Sequence, residues 1–252
     1  MEKDYVPKFE GFKESKDYER RFYLEEKNEF EDVMRIINLM ASFAVYKTEE
    51  AEHTDYYFET PNNFFAGFNA SIRLREGTEG KFVSIKYVVE TKNELGITKT
   101  VKEYSQKVKE DSFITNDEDA MLFLEDKIRE VFNHFVDMDI LRILRTLRPV
   151  LVVKTERTTQ FVKNNDKFAC TVSYDYVAYK TKRKYDEDRV IEIKLDCVPT
   201  DDNLNYYEAF FRELRNRTVL IPMGETKYEV GMRVRNFVKY KKKKKGEQDE
   251  EE

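Results

Sequence analysis

Arg73 and Arg75 stand two residues apart in IRLREG, and Lys86 closes the nearby FVSIK. Between them, Glu76-Gly77-Thr78-Glu79-Gly80 is turn chemistry, so residues 56–86 contain a hairpin whose two arms alternate apolar and polar side chains. With matched registers, Arg73, Arg75 and Lys86 share one sheet face. Three like charges so placed repel unless water or an anion lies between them. Arginine suits an anion of a particular kind, because its planar fork matches phosphate oxygens in a way lysine cannot. The same alternation recurs later. Arg157 shares a face with Thr155 and Thr159; Glu192, Lys194 and Asp196 oppose Ile191, Ile193, Leu195 and Cys197; Asp17, Glu19 and Arg21 share a face near the start.

The elements that must carry these residues follow from periodicity. Strands are expected at 17–24, 53–60, the two arms of the hairpin, Thr98–Val108, Val150–Val162, Lys167–Tyr179 and Asp188–Cys197, with a terminal strand over Met223–Val234. Apolar residues at helical spacing predict helices over 28–46, over 117–147 with a break near Asp137–Asp139, and around Leu204–Leu214. Residues 1–16 read as an irregular lead-in, 17–238 as one domain and 239–252 as a disordered charged tail. A wet sheet face in an ordinary α+β protein explains the alternation as well. Two features favour a closed barrel with a polar interior: guanidinium groups recur on the polar faces, and helices between the strands are available to cover the apolar ones.

Composition narrows the class. A formal charge of −5 gives no bulk attraction to nucleic acid, and Cys170 and Cys197 make neither a disulfide framework nor a metal motif. The start is too charged for a signal peptide, and no apolar run is long enough to cross a bilayer. These features predict a soluble, intracellular, cytoplasmic protein with no membrane segment. His53 is expected to be exposed ahead of a strand and His134 to be structural. The P-loop, GxGxxG and GxSxG patterns are absent.

The order of motifs resembles the triphosphate tunnel superfamily, which includes the CYTH proteins and the VTC-type polyphosphate polymerases. DYERRFYL is similar to the opening ExExK strand, YFETP to YFDTP, and IRLREG with FVSIK to the RxR and ExK-type strands. LRPVLVVKTERTTQF resembles the VTC-type LQPxxxVxYER, SYD its TLD, IEIKLD its EIK, and GETKYEVG its SKY segment. The resemblance implies an α+β fold: a closed antiparallel barrel of about eight strands with helices packed outside. It implies a site in which Arg21, Arg73, Arg75, Lys86, Arg157 and Lys227 grip phosphates, the last five also serving catalysis, while Glu192, Glu19 and Asp17 hold Mg2+ or Mn2+. The substrate implied is a nucleoside triphosphate or inorganic polyphosphate, with an RNA 5′ end as an alternative. The second half leans toward polyphosphate polymerisation from ATP, ahead of hydrolysis or of binding without turnover. Four positions depart from the pattern: Asp17 replaces the first Glu, Arg21 the Lys, Thr171 an Arg, and Lys194 a carboxylate common in hydrolytic members.

Overall fold

The computed structural model describes residues 13–24, 29–92, 98–132, 139–195 and 200–235, with side chains from Tyr18 onward in the first segment. Its strands are β1 (Lys13–Tyr23), β2 (Ala44–Glu59), β3 (Ala70–Gly77), β4 (Gly80–Lys92), β5 (Thr98–Val108), β6 (Arg148–Asn164), β7 (Lys167–Lys180), β8 (Tyr185–Leu195) and β9 (Ile221–Pro222). They form one sheet in the order β5-β4-β3-β2-β6-β7-β8-β1-β9, and β1 pairs with β5 as well as with β8. That last pairing closes eight antiparallel strands into a barrel, with β9 as a short addition on β1. Closure leaves the eight strands without a free edge, and alternation then sends every second side chain into the lumen.

The predicted hairpin is present: Gly77 pairs with Gly80 across a two-residue turn, and Gly80 takes φ 108°, which a side chain would resist. The outer faces are apolar and covered by helices. α1 (Phe30–Asn38) and α4 (Asp201–Arg217) bury Val33, Ile37, Phe210 and Phe211 against Cys170, Val172, Ile191 and Ile193 of β7 and β8. α2 (Glu118–Val131) and α3 (Ile140–Leu144) bury Phe123, Leu124, Ile128 and Leu144 against Ile72, Leu74, Val83 and Ile85 of β3 and β4. Each such side chain contributes about 1.5–3 kcal/mol when fully buried. Arg20, buried beside this first layer, gives both terminal nitrogens to Glu208 at 2.7 and 3.1 Å and lies over the Phe211 ring.

Three expectations need correction. Helix α1 is shorter than 28–46, because residues 44–46 belong to β2, whose pairing with β6 along nearly its whole length outweighs local helical spacing. β2 is correspondingly longer than 53–60. The segment Met223–Val234 is not a strand: only Ile221 and Pro222 pair, and residues 227–235 form a helix, α5. Thr226 and Glu229 start it with a reciprocal cap, Glu229 N–H donating to Thr226 Oγ1 at 3.2 Å and Thr226 N–H donating to Glu229 Oε2 at 2.6 Å. α5 does not lie outside with the others. Its Tyr228, Val230, Met232 and Val234 pack with Leu151, Val153, Val177 and Val190, which stand on the inner faces of β6, β7 and β8. It therefore occupies one side of the barrel's end. Cys170 is buried, and Cys197, His134 and residues 239–252 lie outside the described residues.

Candidate functional site

A cavity of about 320 Å³ runs inside the barrel between α5 and the inner faces of β1, β3, β4, β5 and β8. Arg21, Arg73, Arg75, Lys86, Arg157, Lys227, Glu19 and Glu192 all line it. Eight sequence-predicted site residues from five strands and one helix thus meet in one space, facing inward. Asp17 sits in β1 opposite Val101, and its side chain lies outside the described residues.

Two buried aspartates organise the guanidinium groups. On β2, Asp55 is fully buried and accepts from Arg75 Nε at 2.7 Å, Arg75 Nη2 at 2.8 Å and Arg73 Nη1 at 3.1 Å. On β7, Asp175 accepts from Arg157 Nε and Nη2, both at 2.7 Å, and from the Lys227 ammonium at 2.9 Å. Glu192 takes Arg21 Nε at 2.8 Å and Arg157 Nη2 at 3.2 Å, and Glu103 takes Arg73 Nη2 at 2.7 Å. Arg21, Arg75 and Arg157 are each held through Nε and one terminal nitrogen. None of the three makes a hydrogen bond through Nη1 among the described residues. The site therefore presents three orientated donors whose positions are already fixed, which is what tight binding of an anion requires.

Burial and charge act against each other here. Burial pushes the Asp55 carboxyl up, but Arg73 and Arg75 pull it further down, to well below the usual carboxylate range. Glu103 and Asp175 are each lowered to about 2: burial opposes, and Arg73 and Arg157 respectively outweigh it. Glu192 is likewise held well below its ordinary value, with Arg157 and Arg21 overcoming burial. Lys227 goes the other way: burial lowers it to about 8 despite Asp175 beside it.

The residues sequence reasoning missed are Asp55, Glu103, His53 and Glu59. His53 is buried in the lumen rather than exposed, because β2 begins nine residues before it. Alternation with Tyr57 would have placed His53 and Asp55 inside. Glu59 accepts from the backbone N–H groups of Thr60, Phe65 and Ala66 and from the Tyr228 hydroxyl, at 2.8–3.1 Å. That one carboxylate joins α5 to the 60–69 loop, which supplies Ala66 and Asn69 to the cavity wall.

The CYTH domain family matches residues 15–208 of the sequence. The chain belongs to the CYTH family. The match does not single out the VTC-type branch. No curated protein gives a significant sequence match. Among solved structures, HpAC1 from Hippeastrum, described as having a dominant triphosphatase activity, is 14% identical over 86% of this chain and 95% of its own, with a TM-score of 0.52. The PH1819 protein from Pyrococcus horikoshii OT3 is 16% identical over 86% of this chain and 98% of its own, with a TM-score of 0.49. At these identities the likeness concerns the CYTH fold alone.

The carboxylates bear on the metal that CYTH triphosphatases use. Glu19 is buried, lines the cavity, and neither of its oxygens accepts a hydrogen bond, although Arg21 Nη2 lies 2.8 Å from Oε1 and Lys86 3.7 Å from Oε2. Among the described residues no three acidic, histidine or cysteine side chains converge on one point. A hard divalent cation such as Mg2+ keeps waters and takes one or two carboxylates together with substrate phosphates. Glu19 and Glu192 fit such a shared ion.

Proposed function

We propose that this CYTH tunnel binds a triphosphate-bearing substrate with Mg2+ or Mn2+ and hydrolyses its terminal phosphoanhydride. The observation that carries the reading is the convergence of Arg21, Arg73, Arg75, Lys86, Arg157 and Lys227 on one enclosed cavity beside Glu19 and Glu192. Phosphoryl transfer needs positioning and charge stabilisation more than covalent chemistry. Here Arg75 and Arg157, clamped by Asp55 and Asp175, hold non-bridging oxygens in line; Lys86 and Lys227 offset charge that grows on the leaving group. Glu19 and Glu192 would hold the cation, which when bound neutralises and orients the phosphates. Polyphosphate synthesis, toward which the sequence motifs lean, has no support in the comparisons, and hydrolysis is the reading we put first.

The test is incubation with ATP, tripolyphosphate and a triphosphate-ended RNA, with Mg2+ or Mn2+, reading free phosphate against polymer. Free phosphate is expected, and Arg75→Ala is expected to reduce kcat/KM by about 10- to 100-fold, the worth of one charge-assisted hydrogen bond. Polymer as the product would replace hydrolysis by synthesis. Binding with neither product would make the chain a non-catalytic binder.

A further inference from the structure

We propose that the part of the cavity nearest the α5 end of the barrel is a nucleoside pocket. The triphosphate held by the arginines carries a nucleoside, and its base lies against an apolar wall formed by Val88, Val101, Tyr57, Tyr228 and Met232. The inference rests on the triphosphate reading above and names the substrate class within it.

All five residues line the same cavity as the phosphate-gripping cations. Val88 stands two residues beyond Lys86 on β4, and Val101 two residues before Glu103 on β5. Each step of two residues moves about 7 Å along the strand and stays on the same face. The two valines are cross-strand partners, and the Val88 N–H donates to the Asn69 carbonyl at 3.2 Å, which joins them to the 60–69 loop. Among the described residues neither valine belongs to the apolar clusters that seat the helices on the barrel. On the side of β2 and α5, the rings of Tyr57 and Tyr228 lie with centroids 5.2 Å apart and planes 31° apart, and Met232 follows Tyr228 one turn along α5.

Two kinds of wall call for a ligand with two kinds of surface. An inorganic phosphate chain carries charge on every unit, so a stretch of it laid against valine, methionine and ring carbon loses water without gaining a hydrogen bond. A base is apolar on its faces and polar at its edge, and aromatic rings and aliphatic side chains are what such faces pack against. The rim supplies a group for the edge: Asn69 lines the cavity, is exposed, and carries a carboxamide that both donates and accepts. Arg73 is the cross-strand partner of Tyr57, so a neutral ring suits this wall better than a cationic one. A volume of about 320 Å³, with an apolar wall and a few placed polar groups, is that of a small-molecule site.

The test is calorimetry with Mg2+ present, comparing ATP with tripolyphosphate, both as methylene-bridged analogues that resist hydrolysis. The nucleotide analogue is expected to bind at least about tenfold more tightly. Val88→Trp, which fills the apolar part, is expected to remove that advantage while changing binding of the tripolyphosphate analogue by less than about twofold. Nuclear Overhauser contacts between the base protons and the methyl groups of Val88 and Val101 are expected in the unaltered protein, so the assignment does not depend on the variant folding. A triphosphate-ended RNA presents the same nucleoside chemistry: displacement of the ATP analogue by equimolar RNA identifies an RNA end as the ligand, and no displacement identifies the free nucleotide. Equal affinities for the two analogues, or base protons without contact to either valine, overturn the proposal and leave the triphosphate reading standing. If neither analogue binds, both fall together.

Discussion

Lys227 shows how one side chain reports on the state of the site. Its ammonium donates to Asp175 and to Thr155 Oγ1 at 3.1 Å, and burial holds it at about 8 rather than at the ordinary lysine value. Below that pH it is charged in the free protein, and a bound triphosphate stabilises the charged form. Triphosphate affinity is therefore expected to be level below pH 8 and to fall as pH rises through that value, by up to about tenfold per pH unit until the bound-state value is reached. Lys227→Met should bind more weakly at pH 7 and lack this step. An unaltered pH profile in that variant, measured by calorimetry, would remove Lys227 from the site. The clamped arginines obey a related logic. Asp55 and Asp175 use two nitrogens of Arg75 and of Arg157, so the aspartates cost attraction for the anion and gain fixed direction for the remaining N–H groups.

At the scale of elements, α5 decides the shape of the cavity. It enters the barrel end because Thr226 and Glu229 cap it, because Tyr228 reaches Glu59, and because its apolar face meets Leu151, Val153 and Val177. At Gly231 this helix packs close against β6: a Cβ there would stand 2.1 Å from Leu151 Cδ2 and 3.0 Å from Cγ. Gly231→Val is expected to destabilise the protein by about 1–3 kcal/mol, the usual cost of overpacking. It should also raise amide exchange over residues 227–235 while β6 and β7 remain protected. Protection unchanged in the helix would mean that α5 does not depend on that contact. The coupling through Glu59 extends the effect: the 60–69 loop, held by the same carboxylate, is expected to loosen with α5.

For the whole molecule, the lumen's charge sets the response to acid. Asp55, Glu103, Asp175 and Glu192 are all depressed relative to their unfolded values. Each contributes stability that is present above about pH 4 and is lost as pH falls through the folded-state value, which for Glu103 and Asp175 is about 2. Together they are worth on the order of a few kcal/mol, since protonation leaves Arg73 and Arg157 buried without counter-charge. The melting temperature is expected to hold from pH 7 to about 5 and to fall steeply toward pH 2. A flat profile down to pH 2 would show that these ion pairs do not support the fold.

Alternation alone fixed which side chains of β3, β4, β6 and β8 share a face, so Arg73, Arg75, Lys86, Arg157 and Glu192 were legible as a set before any coordinates. The period of two that separates faces is a local property of extended chain. Residues 44–46 fit the apolar spacing of the helix expected over 28–46, and only pairing with β6 settles them as strand. The same holds for α5: local pattern reads Met223–Val234 as a strand, and only the packing of Tyr228, Val230 and Met232 against β6 and β7 settles a helix inside the barrel. Barrel closure, the clamping of Arg75 by Asp55 and of Arg157 by Asp175, and the unpartnered nitrogen of His53 depend on contacts between residues far apart in sequence. Such contacts are set by which strands become neighbours, and local pattern carries no information about that. The sequence determined the chemistry of the faces; the tertiary structure decided that they face one another.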